Sequence, residues 1–206
     1  MSSKQRILIL FAHPSPHRSE VNRPMFVASK SLAHVTAVDL YREYPTFCID
    51  IDREQQRLRE HDVLIFHFPL YWYSTPSLLK EWQDLVLEYG FAYGHEGKAL
   101  AGKQFMCALS ASGPEKAYHA DGYNHFTIRE LLQPLEQMAD FVGMTYLPPF
   151  TLFGARSAVE DKRLSRHIAQ WTALLNGLGD RAWHGHNWDD VITINAWVTQ
   201  HMEERI

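Results

Sequence analysis

Three stretches of this chain carry residue types suited to ligand chemistry, and each follows a short apolar run. The first is His13-Pro14-Ser15-Pro16-His17-Arg18-Ser19-Glu20-Val21-Asn22, after Ile7 to Ala12. Ser19 has the N-cap residue type for a helix that starts near Val21. Two imidazoles, Arg18, hydroxyls and the free amides of a helix start suit a phosphate, because those amides and the helix dipole favour an anion. The same loop also reads as a plain capped helix, the commoner meaning of such a sequence.

The second stretch is Leu70-Tyr71-Trp72-Tyr73, after Val63 to Phe66 and His67-Phe68-Pro69. Pro69 cannot continue a central sheet ladder, so the strand ends there. Ser74 or Thr75 then reads as an N-cap, with Pro76 at the first helical position. Large aromatics at the end of a strand suit the face of a flat ligand, and they also suit core or interface packing. The third stretch is Ser110-Ala111-Ser112-Gly113-Pro114, whose small residues let backbone approach a ligand closely.

No G-x-G-x-x-G and no G-x-x-x-x-G-K-[ST] occurs, which argues against a dinucleotide-type Rossmann loop and a P-loop. Cys48 and Cys107 have no metal-site spacing. His184 and His186, followed by Asp189 and Asp190, have ligand types but match no recognised motif, so no metal site is assigned.

The elements that must hold these loops follow from periodicity. Ile7 to Ala12, Val35 to Leu40, Val63 to Phe66, Gln104 to Leu109 and Met144 to Leu147 read as five strands, the last ended by Pro148-Pro149 and resumed at Phe150 to Phe153. Helices are expected over Val21 to Leu32, a short exposed one over Asp52 to Arg59, and a third carrying Leu78, Leu79, Trp82, Leu85 and Val86. A fourth runs from Thr127 to Val142, kinked or restarted at Pro134, and a fifth from Ala158 to Leu175. Val191 to Met202 reads as a last helix outside the main fold. Alternating strands and helices predict a three-layer α/β domain with a five-stranded parallel sheet, order 2-1-3-4-5. That order puts its switch point between strands one and three, where all three ligand loops gather. Composition changes after Asn176, so residues 1–178 read as one domain and 179–206 as a C-terminal extension.

The chain has 206 residues, 46% of them hydrophobic, and a formal charge of −4. These values suit one domain with a sizeable core and give no case for nucleic acid. No apolar run reaches membrane length, and the N-terminal run is too short for a signal peptide. A cytoplasmic protein is expected. Tyr89, Phe91 and Tyr93 are many large apolar groups for one loop, and such patches mark interfaces.

The run ILILFAHP, then Ser19 to Asn22, FPLYWYSTPSLLKEW, GFAYG, and GK with its small-residue loop resemble the flavodoxin-like NAD(P)H:quinone reductase family. Within it they resemble the ancillary flavoproteins of glutathione-gated potassium efflux systems. The resemblance covers about Ile7 to Gln170. It implies bound FMN ahead of FAD, NADH or NADPH as donor, and ping-pong two-electron reduction of a quinone. It also implies a homodimer with the active site at the subunit interface, and potential docking on a potassium efflux transporter. The alternatives it leaves open are a regulatory FMN-binding subunit of such a transporter, and an azo- or nitroreductase. By position, His13, Ser19, Glu20, Val21 and Asn22 would hold the phosphate and ribityl chain. Leu70, Tyr71, Trp72 and Tyr73 would line one side of the flavin ring, and Ser110, Ala111, Ser112 and Gly113 another. Two departures stand out. The family's strand-four loop is often Thr-Thr-Gly-Gly, and here it is Ser-Ala-Ser-Gly. Tyr118 matches the Tyr of the mammalian enzymes, while Asn124 falls where their His would be, with His125 beside it. Tyr118 is thus a candidate donor to the reduced quinone, or an interface packing residue.

Overall fold

Five apolar segments form one parallel sheet in the computed structural model, which describes residues 4–203. β1 (Ile7–Phe11) and β3 (Val63–Pro69) are buried at every position, as strands covered on both faces must be. With β2 (Val35–Asp39), β4 (Gln104–Ser110) and β5 (Thr145–Leu152) they give the order β2-β1-β3-β4-β5, parallel throughout. The expected fold class is therefore the observed one.

The alternation of side chains sorts the core into two layers. Leu8, Leu10, Leu64 and Phe66 face α2 (Leu40–Glu43), α3 (Ile51–Glu60), α4 (Ser77–Val86), α5 (Ile128–Leu131) and α6 (Gln133–Phe141). Ile7, Ile9, Val63 and Ile65 face α1 (Asn22–Ser29), α7 (Leu164–Gly179) and α8 (Asn195–Glu203). Pro134 restarts the helix as expected, so α5 and α6 are separate, and Thr127 and Glu130 form a capping box at the start of α5.

Several boundaries differ from the sequence reading. Pro76 is the N-cap of α4 rather than its first residue. α7 starts at Leu164, not Ala158, because Arg163 holds the preceding turns open. Its guanidinium donates to the carbonyls of Phe153 and Gly154, at 2.9 and 2.8 Å. β5 runs through Pro148-Pro149 without a break. It is an edge strand, and the register slips between Met106↔Leu147 and Ala108↔Phe150, so both prolines sit in a bulge.

The last helix is not outside the fold. Ile194 and Val198 are fully buried against the sheet layer of α1 and α7. Ile194 N–H donates to the Pro149 carbonyl at 3.1 Å. The Asn195 side-chain amide accepts from Thr151 N–H and donates to Thr151 C=O, both at 3.0 Å. A single side chain thus satisfies both backbone groups of an edge residue, as a sixth strand would.

α3 is also not merely exposed. Glu54 is fully buried and accepts from Tyr44 Oη at 2.6 Å and from Trp82 Nε1 at 2.9 Å, with Arg57 as its ion-pair partner. It ties α3 to α4 and to the turn after α2, and burial together with Glu54 pushes the Tyr44 hydroxyl up to about 12. Glu54→Ala would leave the Tyr44 hydroxyl and the Trp82 indole N–H without their acceptor, while Arg57 keeps Glu43 as a partner, so a loss of about 1–3 kcal/mol per unsatisfied donor is expected in urea unfolding. Glu54→Gln, which keeps acceptor capacity, should lose less.

His67 on β3 and His167 on α7 are buried beside Trp171 and Phe150. Neither ring nitrogen of His67, nor Nε2 of His167, has a hydrogen-bond partner among the described residues. Burial pushes His67 down to about 3, helped by His167 and His13, and pushes His167 down to about 4, helped by Arg163. Both are neutral in the folded protein, whereas in the unfolded chain they take up protons below about pH 6.5. Their contribution to stability is therefore complete above that pH and is lost as pH falls toward 4. Urea midpoints measured from pH 7 to pH 5 should fall, and His67→Leu should flatten the slope. An equal slope in the variant would assign the loss to other groups.

Candidate functional site

The carboxyl ends of β1, β3, β4 and β5 carry the loops that meet here. Ser19 Oγ accepts from the amides of Asn22 and Arg23 at 3.1 and 3.3 Å, which is the capping role its residue type predicts, although Val21 is the formal N-cap. The N–H groups of Glu20 and Val21 have no partner among the described residues and stay available. Asn22 is buried. Its Nδ2 donates to Ser110 Oγ at 2.8 Å, while its Oδ1 is buried without a partner among the described residues. His13 is buried, its Nδ1 accepts from Ser15 N–H at 3.1 Å, and burial followed by His17 holds its pKa below the ordinary value. These residues and Arg18, Tyr71, Ala155 and Arg156 line a cavity of about 400 Å³.

Beside it stands the aromatic loop. Tyr71 and Ser74 exchange backbone hydrogen bonds at 3.1 and 2.9 Å and close a tight turn over Trp72 and Tyr73. Both central residues are left-handed, with φ of 48° and 62°. Two such residues without glycine match a type I′ hairpin turn and cost about 1–3 kcal/mol each, a strain characteristic of ligand sites. Trp72 is 93% exposed. Tyr73 Oη donates to Asn124 Oδ1 at 3.0 Å, which fixes the orientation of that amide. Tyr118 is buried, and Gly113 lies against it: a Cβ there would come within 2.5 Å of Tyr123 Oη and 3.3 Å of the Tyr118 ring. Burial raises the Tyr118 hydroxyl above its ordinary value, opposed by contacts with the Gly113 backbone and the Asn124 side chain.

Of the residues singled out from sequence, His13, Ser19, Glu20, Val21, Asn22, Tyr71 and Ser110 line one cavity. Trp72, Tyr73, Ser112, Gly113 and Tyr118 belong to the adjoining aromatic and small-residue loops, with Ser112 exposed. Leu70 and Ala111 turn inward, and their amides are taken by the carbonyls of Ser110 and Leu152 at 2.9 Å each. Sequence reasoning missed Arg156 and Asn124's bond to Tyr73. Arg156 follows the end of β5, so its position at the same sheet edge was the available signal.

One other expectation changes. Phe91 is buried in its own domain, with Arg59 stacked 4.9 Å over its ring, whereas Tyr89, Tyr93 and Phe141 stay exposed. The His186 ring packs between Trp188 and Trp197, at 4.5 and 4.4 Å between centroids. A wider hollow of about 1340 Å³ lies between α5–α6 and residues 186–192. Arg129 fills part of its wall, paired with Glu136 and donating to the carbonyls of Trp188, Asp189 and Val191.

Residues 5–175 match the family described as having a flavodoxin-like fold. The chain is 45% identical over 175 residues to the glutathione-regulated potassium-efflux system ancillary protein KefG of Pectobacterium carotovorum, covering 84% of this chain and 96% of KefG. It superposes on general stress protein 14 of Treponema denticola in complex with FMN with a TM-score of 0.80 and 37% identity, covering 84% and 99% of the two chains. An NADPH-quinone reductase from P. pentosaceus gives 0.74 and 33%, covering 82% and 97%. The chain belongs to the flavodoxin-like NAD(P)H:quinone reductase family. The family match ends at residue 175, so α8 and its contacts with the β5 edge lie beyond it. No helix among the described residues is long and apolar enough to cross a membrane.

Because Trp72 makes no core contact, Trp72→Ala should change the unfolding free energy of the apo-protein by less than about 0.5 kcal/mol. Chemical denaturation followed by circular dichroism checks this; a loss of several kcal/mol would mean that the ring is packed.

Proposed function

We propose that the protein is an FMN-dependent NAD(P)H oxidoreductase that reduces quinones by two electrons, in a ping-pong cycle. The observation that carries this reading is Asn22: one end of its amide ties the first loop to the fourth, and the other is a buried acceptor that lacks a donor. Ribityl hydroxyls are donors of the right kind for it. The rest of the donor set fits as well. The amides of Glu20 and Val21, with Arg18 and Arg156, are an anion cradle. The amides of Trp72 and Tyr73, which have no partner among the described residues, suit the polar edge of the flavin ring, and their side chains suit its face.

Held by these residues, FMN would supply two-electron hydride chemistry between a nicotinamide and the acceptor. The protein's own groups bind, orient and supply hydrogen bonds. The quinone gains a hydride and a proton, and Tyr118 offers its hydroxyl to the acceptor oxygen that becomes protonated. Gly113 and Asn124 hold that hydroxyl in place. With an amide at position 124, no imidazole at that position can deliver the proton. Azo and nitro compounds are alternative acceptors for the same site.

The exposed rings of Trp72, Tyr123 and Phe126 around the loop edge support a homodimer in which a second subunit covers the ring site. The likeness to KefG supports a second role, docking on a potassium efflux transporter from the cytoplasmic side. Transporter-dependent recovery with membranes tests that role.

Purified protein should be yellow and release FMN, and NADH or NADPH should bleach it in anaerobic stopped-flow. Failure of both donors removes the enzyme reading. Trp72→Ala should weaken FMN about tenfold, since aromatic contacts contribute about 0.5–1.5 kcal/mol beyond area burial.

A further inference from the structure

A second hollow, of about 270 Å³, lies across the Pro16–Arg18 turn from the anion cradle. Its walls carry Arg23 and Lys30 from α1, and Asp39 and Arg42 from the end of β2 and the start of α2. Arg23 and Lys30 are seven residues apart, two helical turns, and so share a face. None of the three cations forms an ion pair within 4.0 Å among the described residues. The neighbouring carboxylate that might have taken Arg42, Glu43, is occupied by Arg53 and Arg57. The Lys30 ammonium is held 4.4 Å over the Phe26 ring. A chain with a formal charge of −4 thus concentrates three unpaired cations and His17 in one hollow. Such a local field marks an anion site.

Asp39 refines the class of anion. It is half-buried at the carboxyl end of β2, and its Oδ1 accepts from Arg42 N–H at 3.2 Å. Burial raises its pKa against the pull of Lys30 and Arg42, and the ion still faces the hollow with acceptor capacity to spare. A carboxylate at the end of the second strand can accept from a free ribose hydroxyl, and nearby cations suit a phosphate on the same nucleotide. Pro16 and Val27 give an apolar rim for a base. At about 270 Å³ this hollow falls just under the range of enclosed ligand cavities, about 300–1,000 Å³, so it has room for part of a nucleotide and not for a whole dinucleotide.

We propose that this hollow binds the phosphorylated ribose of an adenylate, with Arg23, Lys30 and Arg42 on the phosphate and Asp39 on the sugar. That chemistry has two sources, the 2′-phosphorylated half of NADPH and the AMP half of FAD. The proposal deepens the oxidoreductase reading, and it stands or falls on binding alone.

Isothermal titration with adenosine 2′,5′-bisphosphate, 5′-AMP and inorganic phosphate separates the sources. An adenylate should bind more tightly than phosphate, and Lys30→Ala/Arg42→Ala should weaken it about tenfold or more, while Lys30→Arg retains it. Tighter binding of the bisphosphate assigns the site to NADPH, and tighter binding of 5′-AMP assigns it to FAD. Both side chains are exposed, so the variants should fold, as circular dichroism verifies. Adenylates no tighter than phosphate, or unchanged binding in the double variant, would overturn the proposal. Titration of the same wild-type sample with FMN and with FAD keeps the readings apart. Adenylate binding without binding of either flavin would sink the flavin reading and leave this site in place.

Discussion

The hydrogen bond from Asn22 Nδ2 to Ser110 Oγ joins two loops that are 88 residues apart in the chain. The rest of the site depends on it. The first loop carries the anion cradle, and the fourth carries the small residues against Tyr118. A parallel sheet brings the carboxyl ends of all its strands to one edge, but only to within several ångströms, because each loop is free to lean. The buried amide removes that freedom. It can do so cheaply because both partners are shielded from water and neither is charged. Its unmatched oxygen is the cost, and a ligand donor is the natural way to offset it.

The fold was largely legible because the strands are short continuous apolar runs, which only a doubly covered parallel sheet explains. The ligand loops were legible because strand ends are marked by Pro69 and by the small residues from Ser110. What was not legible came from pairings between distant parts of the chain. Glu54 sits in a charged run that reads as solvated, and nothing local announces that Tyr44 and Trp82 converge on its carboxylate. Phe91 reads as surplus apolar surface until Arg59 covers it. β5 reads as two pieces, because proline is a stop signal unless the strand lies at an edge and its neighbour bulges.

The site loops follow a division of labour between rigid and strained backbone. The cradle residues sit at the start of a well-packed helix and need no unusual conformation. The Trp72-Tyr73 turn, by contrast, holds two bulky residues in left-handed geometry, and neither amide has a partner among the described residues. Glycine would relieve the strain and remove the rings together. Retaining both therefore ties an aromatic surface to a fixed pair of donors, a combination that neither a strand nor a helix offers.

The Asn195 clasp on Thr151 has a consequence for synthesis of the chain. β5 is complete once residue 152 has been made, yet its outer edge has no partner until residue 195 emerges, more than forty residues later. At about 5–20 residues per second, that leaves the edge open for seconds on the ribosome. During that interval the nascent sheet presents an unpaired ladder to any neighbouring strand. Pro148-Pro149 removes two donors from that ladder, so the same bulge that interrupts the sheet also guards it before the clasp arrives.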